Sequence, residues 1–413
     1  MPWLAPWLFL AVSLVGACFT FNAYLPHRGR SPLIVPSFFA GWLTGELSGH
    51  HFAWQLAATL AFAWAGALEA WPGLVGLGVT LASWLGLGLL LVGSARTRHT
   101  VEQALAGVVG HGPSAAAPPA REPSGRLLLP FWLHDPAVEV VRDLRYAPGA
   151  GRRHLLDVYR HRDGARDAPV LLQIHGGAWV IGDKRQQALP LMLHLAARGW
   201  VCVAANYRLS PKATFPEHLV DVKRALAWIR EQVAAYGGDP GFVVLTGGSA
   251  GGHLAALAAL TADDPEYQPG FEQCPTSVAA CVPFYGVYDV ANELGSPRYE
   301  RFGRYLARLV MKTTLAEDPA AYAKASPLAR VHPGAPPFFV IHGTHDSLAP
   351  VEGARAFAER LRRVSAAPAL YAELPGAQHA FEVFHSLRTR HVVRAVERFL
   401  AHLHAGYRRQ RAA

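Results

Sequence analysis

Lysine is scarce in this 413-residue chain. It occurs only at Lys184, Lys212, Lys223, Lys312 and Lys324, so the net charge of +9 comes almost entirely from arginine. The arginines are scattered and form no basic stripe with interleaved aromatics, which argues against nucleic-acid binding. A short basic tail at Arg408, Arg409 and Arg411 reads as a solvated end or a weak contact with anionic lipid headgroups. Cysteine is equally sparse. Cys18, Cys202, Cys274 and Cys281 form no CxxC pair, so no disulfide framework is expected. Charge is nearly absent from residues 1–95, where only Arg28, Arg30, Glu46 and Glu69 interrupt the apolar composition. No basic segment follows Met1, which disfavours a cleaved signal peptide. The same lack argues against a lipoprotein site at Val15-Gly16-Ala17-Cys18. No internal repeat is visible.

What is present divides the chain in two. Hydrophobic residues make up 51% of it, and their excess sits at the front. Three stretches, Trp3 to Phe21, Phe52 to Trp71 and Leu74 to Gly93, have the length and composition of membrane spans. At a rise of ~1.5 Å per residue each comes close to the ~30 Å hydrocarbon core. Leu33 to Leu43 is apolar but short and contains Pro36, which suits a re-entrant or interfacial piece. His50-His51 marks an interface. The expected organisation is a transmembrane region over 1–96, a linker over 97–130, a catalytic domain over 131–408 and a basic tail over 409–413. Within the linker, Thr100 to Val109 reads as a short amphipathic helix and His111 to Gly125 as irregular chain. Arg28 and Arg30 follow the first span, and Arg96 and Arg98 the third. The positive-inside rule then places the amino terminus outside and the catalytic domain in the cytoplasm.

From Leu129 onward, strand and helix patterns alternate. Strands are expected at Val138–Arg145, His154–Tyr159, Val170–Ile174, Val201–Ala205, Val243–Thr246, Val278–Phe284, Phe338–Ile341 and Ala369–Glu373. Helices are expected at Gln187–Arg198, Pro216–Tyr236, His253–Leu260, Val351–Val364 and Thr389–His404. This pattern predicts an α/β fold with a mostly parallel eight-stranded sheet covered by helices.

The chemistry starts at Gly247-Gly248-Ser249-Ala250-Gly251, a Gly-x-Ser-x-Gly turn between an apolar strand and a small-residue helix. Such a corner exposes the serine hydroxyl above a sheet edge. A nucleophilic Ser249 needs a base, an orienting acid and oxyanion donors. Asp346 ends the loop after the strand Phe338–Ile341, and His379 ends the loop after the following strand, in the chain order serine, acid, histidine. Singly, Asp346 reads as a helix cap and His379 as a turn residue; together they read as the orienting acid and the general base. The loop His175-Gly176-Gly177-Ala178-Trp179 supplies oxyanion donors. Gly177, Ala178 and Ala250 are expected to donate, with Gly176 shaping the loop. His342-x-x-His345-Asp346 also looks like a metal-ligand cluster, but the acid role accounts for Asp346 without a metal. Asp183 and Asp221 read as structural.

With these motifs, Asn206-Tyr207-Arg208-Leu209-Ser210-Pro211 and Tyr236-Gly237-Gly238-Asp239-Pro240, the chain over roughly 130–405 resembles the hormone-sensitive-lipase-type carboxylesterases. It is most similar in kind to their membrane-anchored bacterial members. The resemblance implies an α/β-hydrolase fold, ester hydrolysis through an acyl-enzyme, no cofactor, and a cap drawn from Glu293 to Tyr322 or from the region before Val138. Small-molecule or lipid esters are the implied substrates and membrane lipids the surroundings. One departure stands out: Ala178 replaces the usual third glycine, which keeps the N–H and narrows the acyl side. An amidase, an arylformamidase or an isoprenylcysteine methylesterase could use the same scaffold. A non-catalytic binding protein with this fold would have no need of the full constellation.

Overall fold

The computed structural model describes residues 4–27, 33–109, 125–297 and 299–412. Four helices open the chain: α1 (Leu4–Tyr24), α2 (Ile34–Glu46), α3 (Ser48–Trp64) and α4 (Trp71–Val109). Of these, α1 and α4 are long and apolar enough to cross a membrane. The expected middle span is α3, which starts earlier than the hydropathy suggests and has 17 residues. The expected re-entrant piece is the 13-residue helix α2, and Pro36 lies in its first turn, where a missing N–H costs no helical bond.

The helices pack with a definite sense. Trp7 meets Trp71, Thr80 bonds Ser13, Thr20 bonds Ser83, and the Tyr24 hydroxyl donates to the Gly86 carbonyl. The contacts advance together, so α1 and α4 run parallel. α3 returns between them: Phe62 packs on Phe9, and His51 on Phe19. Small residues permit the close approach, since a Cβ on Gly76 would come within 3.1 Å of Leu10. Arg28 and Arg30, on which the orientation argument leans, lie outside the described residues.

The linker expectation needs correcting at its start. Residues 97–109 are the last turns of α4, continuous with the apolar run, and Val101 and Leu105 are buried in the core of the following domain. Residues 110–124 lie outside the described set, and a single turn, α5 (Gly125–Leu128), follows.

The remaining chain builds one eight-stranded sheet in the order β1-β2-β4-β3-β5-β6-β7-β8. The strands are β1 (Val138–Arg145), β2 (Leu155–His161), β3 (Ala168–Ile174), β4 (Val201–Ala205), β5 (Gly238–Gly248), β6 (Ala280–Phe284), β7 (Phe338–Gly343) and β8 (Ala369–Leu374). β2 pairs antiparallel with β1 and β4; from β4 to β8 the pairing is parallel. Every residue of β3 is buried, as a central parallel strand covered on both faces demands, whereas the edge strand β8 alternates. The covering helices are α6 (Leu189–Ala196), α7 (Glu217–Gln232), α8 (Ala250–Leu260), α11 (Val351–Val364) and α12 (Leu387–Ala412). Two short helices, α9 (Tyr299–Tyr305) and α10 (Pro319–Ala325), fall in the segment expected to form a cap. α11 shows why such helices dock: Val351, Ala354, Phe357, Ala358 and Leu361 recur at helical spacing and are its buried face. The basic tail is no separate segment, because α12 continues to Ala412 and Arg411 pairs with Asp239 at 3.0 Å.

Candidate active site

Ser249 sits at the corner between β5 and α8 with φ +58° and ψ −122°, a conformation costly for a residue with a Cβ. Its neighbours make the corner possible. A Cβ on Gly251 would lie 2.1 Å from the Ile174 carbonyl oxygen, and one on Gly247 would lie 2.5 Å from that of Gly251. The Ser249 N–H donates to the Phe284 carbonyl at 3.0 Å, which ties the corner to β6. Ala250 opens α8, so its N–H has no carbonyl one turn earlier in the helix to bond.

Asp346 and His379 come together as the chain order requires. His379 Nδ1 donates to Asp346 Oδ2 at 2.7 Å, and both residues are buried. The other carboxylate oxygen accepts the N–H groups of Leu348 and Ala349 at 2.9 and 2.7 Å. Burial alone would raise the Asp346 carboxyl. The His379 imidazole and the hydrogen bonds from His342 and His379 outweigh it and hold the group well below the usual carboxylate range. Asp346 is therefore charged, and it engages Nδ1 of His379 rather than Nε2.

The loop after β3 folds against the serine corner. A Cβ on Gly176 would lie 3.1 Å from Ser249 Cβ and 2.7 Å from the Gly248 carbonyl. Gly176 N–H is already spent on Gln187 Oε1 at 2.6 Å, in keeping with a shaping rather than a donating role. Gly177, Ala178 and Trp179 all have positive φ, and a Cβ on Gly177 would strike the Ile181 carbonyl at 2.1 Å. This left-handed run turns the backbone sharply. His175 is fixed beneath it, stacked on Tyr207 at 4.4 Å, and burial lowers its imidazole to about 4, so it is neutral near pH 7. Tyr207 donates to the His175 carbonyl, Ser210 N–H donates to the Trp179 carbonyl, and Asn206 accepts from Lys184 N–H. The Asn206–Pro211 motif thus braces the loop. Asp183 and Asp221 do structural work, bonded to Asn206 and to Arg208 and His154 respectively.

Several contacts escaped the sequence reading. Trp179 Nε1 donates to His253 Nδ1 at 3.2 Å, and His253 Nε2 in turn donates to the Ala325 carbonyl, which links the loop to the end of α10. The Tyr305 hydroxyl donates to the Ala178 carbonyl at 2.7 Å, so α9 caps the same loop. Tyr285 is fully buried behind the site. Its ring lies 4.5 Å from that of His379, and its hydroxyl bonds the Glu382 carboxyl. A Cβ on Gly248 would run into this ring, which gives that glycine its reason. Tyr285 directly follows the expected strand Val278–Phe284, the one local signal that it reaches the site. On the other side, Phe38 of α2 meets the His379 ring edge-on at 6.3 Å, and His345 Nδ1 lies 3.3 Å from the Ala23 carbonyl at the end of α1. Nothing local in the sequence announces those two contacts.

Burial pushes the Glu382 carboxyl up to about 7, against the Tyr285 hydrogen bond, which favours the charged form. A carboxyl raised on folding binds its proton more tightly in the native state, so its contribution to stability is present at low pH and is lost as pH rises toward 7. Glu382→Gln is therefore expected to gain in Tm relative to wild type between about pH 5 and about pH 8. Parallel melting curves across that range check this, and a constant gap would contradict it.

A parallel-centred sheet with a serine corner after β5, an acid after β7 and a histidine after β8 defines an α/β-hydrolase. The BD-FAE family model matches residues 156–361. Over nearly its whole length the chain is similar to the probable carboxylic ester hydrolase LipM of Mycobacterium tuberculosis (strain ATCC 25618 / H37Rv), at 42% identity with 96% of this chain and 93% of that protein covered. Esterase LipQ of the same bacterium is 51% identical across 62% of this chain and 61% of its own length. Among solved structures, the butyrate-bound esterase Est2 of the planctomycete Thermogutta terrifontis matches with a TM-score of 0.54 at 26% identity, over 64% of this chain and 94% of that one. The chain belongs to the hormone-sensitive-lipase-like α/β-hydrolases, as its motifs led us to expect.

Proposed function

We propose that this protein is a membrane-anchored serine carboxylesterase. The observation that carries the reading is the buried His379–Asp346 pair, whose imidazole packs on Tyr285, the ring that also lies against Gly248 next to Ser249. Ser249 Oγ attacks the ester carbonyl carbon while His379 Nε2 takes its proton. The carbonyl electrons move onto the oxygen, which the N–H groups of Gly177, Ala178 and Ala250 stabilise. As the tetrahedral species collapses, the bond to the alcohol breaks and His379 returns the proton to the leaving oxygen. Water then repeats the sequence on the acyl-enzyme, releasing the acid and restoring Ser249. Asp346 fixes the imidazole and stabilises its charged form throughout. No step calls for a metal or an organic cofactor.

Anchoring rests on the leading helices. At ~1.5 Å per residue, the 21 residues of α1 reach ~32 Å and the 17 of α3 ~25 Å, against a ~30 Å hydrocarbon core. Their lipid-facing sides are apolar and exposed, as at Trp7, Leu14, Leu60, Leu81 and Leu85. The parallel run of α1 and α4 with α3 between them suits three crossings, with the amino terminus on the side opposite the catalytic domain. A cytoplasmic catalytic domain follows from the arginine bias.

The test is hydrolysis of a p-nitrophenyl ester series by the full-length chain in detergent. Turnover far above the spontaneous rate is expected for at least one acyl length. Cleavage of p-nitroanilide amides with no ester turnover would replace this reading with the amidase one, and no turnover of either would overturn it.

A further inference from the structure

We propose that α2 forms a wall of the ester-binding site and receives the long alkyl tail of a substrate dissolved in the bilayer. The inference rests on the serine esterase reading above. Its basis is an unbroken aromatic run that ends on the base. Phe131 lies 4.9 Å from Phe384, Phe384 5.1 Å from Trp42, Trp42 stacks on Phe38 at 5.8 Å, and Phe38 meets His379. One end is at the surface, where Phe131 is 61% exposed, and the other is buried, with Phe38 at 8%.

The inner half of the run, Phe38 and Trp42 on α2, lies where a bilayer surface would be. α1 ends at Tyr24 beside the acid loop, α3 begins at Ser48, and α2 bridges the two at that level. The outer side of α2 is apolar as well, with Val35 and Phe39 about half exposed. A water-soluble ester has no use for an aromatic run of this extent, exposed at Phe131 and buried at Phe384 and Phe38, whereas an alkyl chain passing from lipid along its wall keeps its apolar contacts. Each methylene exposed to water on the way would forfeit part of the hydrophobic stabilisation it had in lipid. The sequence Ile34-Val35-Pro36-Ser37-Phe38-Phe39-Ala40-Gly41-Trp42 thus acts as a specificity element for lipid-like esters.

The α2 helix is fixed in this role rather than loosely apposed. Asn22 donates to the Ser37 carbonyl at 2.7 Å at one end, and Glu46 pairs with Arg388 at 2.7 Å at the other. Because the loop from Pro375 to Ser386 carries His379 and is held by the same Arg388, wall and base keep a constant relation.

The experiment uses the full-length protein in lipid nanodiscs and an alkyl fluorophosphonate whose chain of about 12 carbons ends in a diazirine, long enough to pass Phe38 and reach Trp42. After reaction, irradiation and peptide mapping, crosslinks are expected on residues 34–46 or on Phe384. Crosslinks confined to the cap at 299–325 would overturn the inference while leaving the esterase reading intact. Failure of the probe to modify Ser249 at all would sink both. As a second readout, Phe38→Ala and Trp42→Ala are expected to lower the ratio of kcat/KM for p-nitrophenyl dodecanoate to that for p-nitrophenyl acetate by about tenfold, the loss of one to two buried methylenes' worth of contact. An unchanged ratio in variants that the probe still labels would also count against the wall.

Discussion

Ser249→Ala is expected to lower kcat for any accepted ester by about 10⁴- to 10⁶-fold. The methyl group fits the corner, since alanine accepts the same space and loses only the hydroxyl. The fold should therefore survive, with an unfolding free energy within about 1 kcal/mol of wild type. What disappears is the atom proposed to form the acyl bond. His379→Ala removes the proton acceptor and should fall by a comparable factor. The double variant should then be little slower than either single one, because serine and histidine act as a unit and their losses do not add. Additive losses would mean that the two residues serve separate steps. Residual turnover is expected if the N–H groups of Gly177, Ala178 and Ala250 form the proposed oxyanion hole, which needs neither side chain. Initial-rate kinetics on the three variants check all of this.

Glu46→Ala is the second large effect, and it reads on stability. Glu46 and Arg388 are 342 residues apart, and each side chain is only 1% exposed. The carboxylate accepts from Arg388 Nε at 2.7 Å and from the Ser386 hydroxyl at 2.8 Å. Arg388 also donates to the Pro375 carbonyl, to Thr97 and to Ser94, so a single guanidinium joins α2, α4, α12 and the loop after β8. Removing the carboxylate strands a buried cation, which costs about 3 kcal/mol, at the low end for such a loss because the other acceptors remain. For a domain of this size that is roughly 6 °C in Tm. The compensating variant is informative. Glu46→Ala combined with Arg388→Met removes the unpaired charge and should recover a good part of the loss. Thermal denaturation of both in detergent measures it, and an unaltered Tm for Glu46→Ala would show that the pair does not join the two parts of the chain.

That junction also marks what the amino-acid sequence could and could not disclose. The eight strands were legible because each is a short apolar run closed by turn residues, and the chain order of Ser249, Asp346 and His379 follows from where those strands end. The serine corner was legible because only glycine fits beside Ile174 and Gly251. The continuation of α4 through 97–109 was not. Arg96 and Arg98 look like the end of a membrane helix, and only the buried positions of Val101 and Leu105 reveal that the same helix enters the catalytic core. The helix α3, expected as a middle span, was placed too late, since Ser48, His50 and His51 are polar yet helical, and His51 packs on Phe19 of α1. Tyr285, Glu382 and Phe38 escaped notice for a common reason. Their roles arise from contacts between residues about a hundred to several hundred positions apart, and neither periodicity nor spacing encodes those.

These features also bear on truncation. Cutting the chain near residue 130 would remove Val101, Leu105 and Glu46 together, leaving an apolar face and a buried cation uncovered. Comparisons of substrate preference are therefore best made on the whole chain.

The central claim is that Ser249 is the nucleophile, and covalent mapping tests it most directly. Full-length protein treated with a fluorophosphonate, digested and sequenced by mass spectrometry should carry the phosphonyl group on the peptide containing Ser249, and Ser249→Ala should carry none. Modification of a different serine, or an unmodified wild-type protein that is still able to hydrolyse esters, would contradict the account.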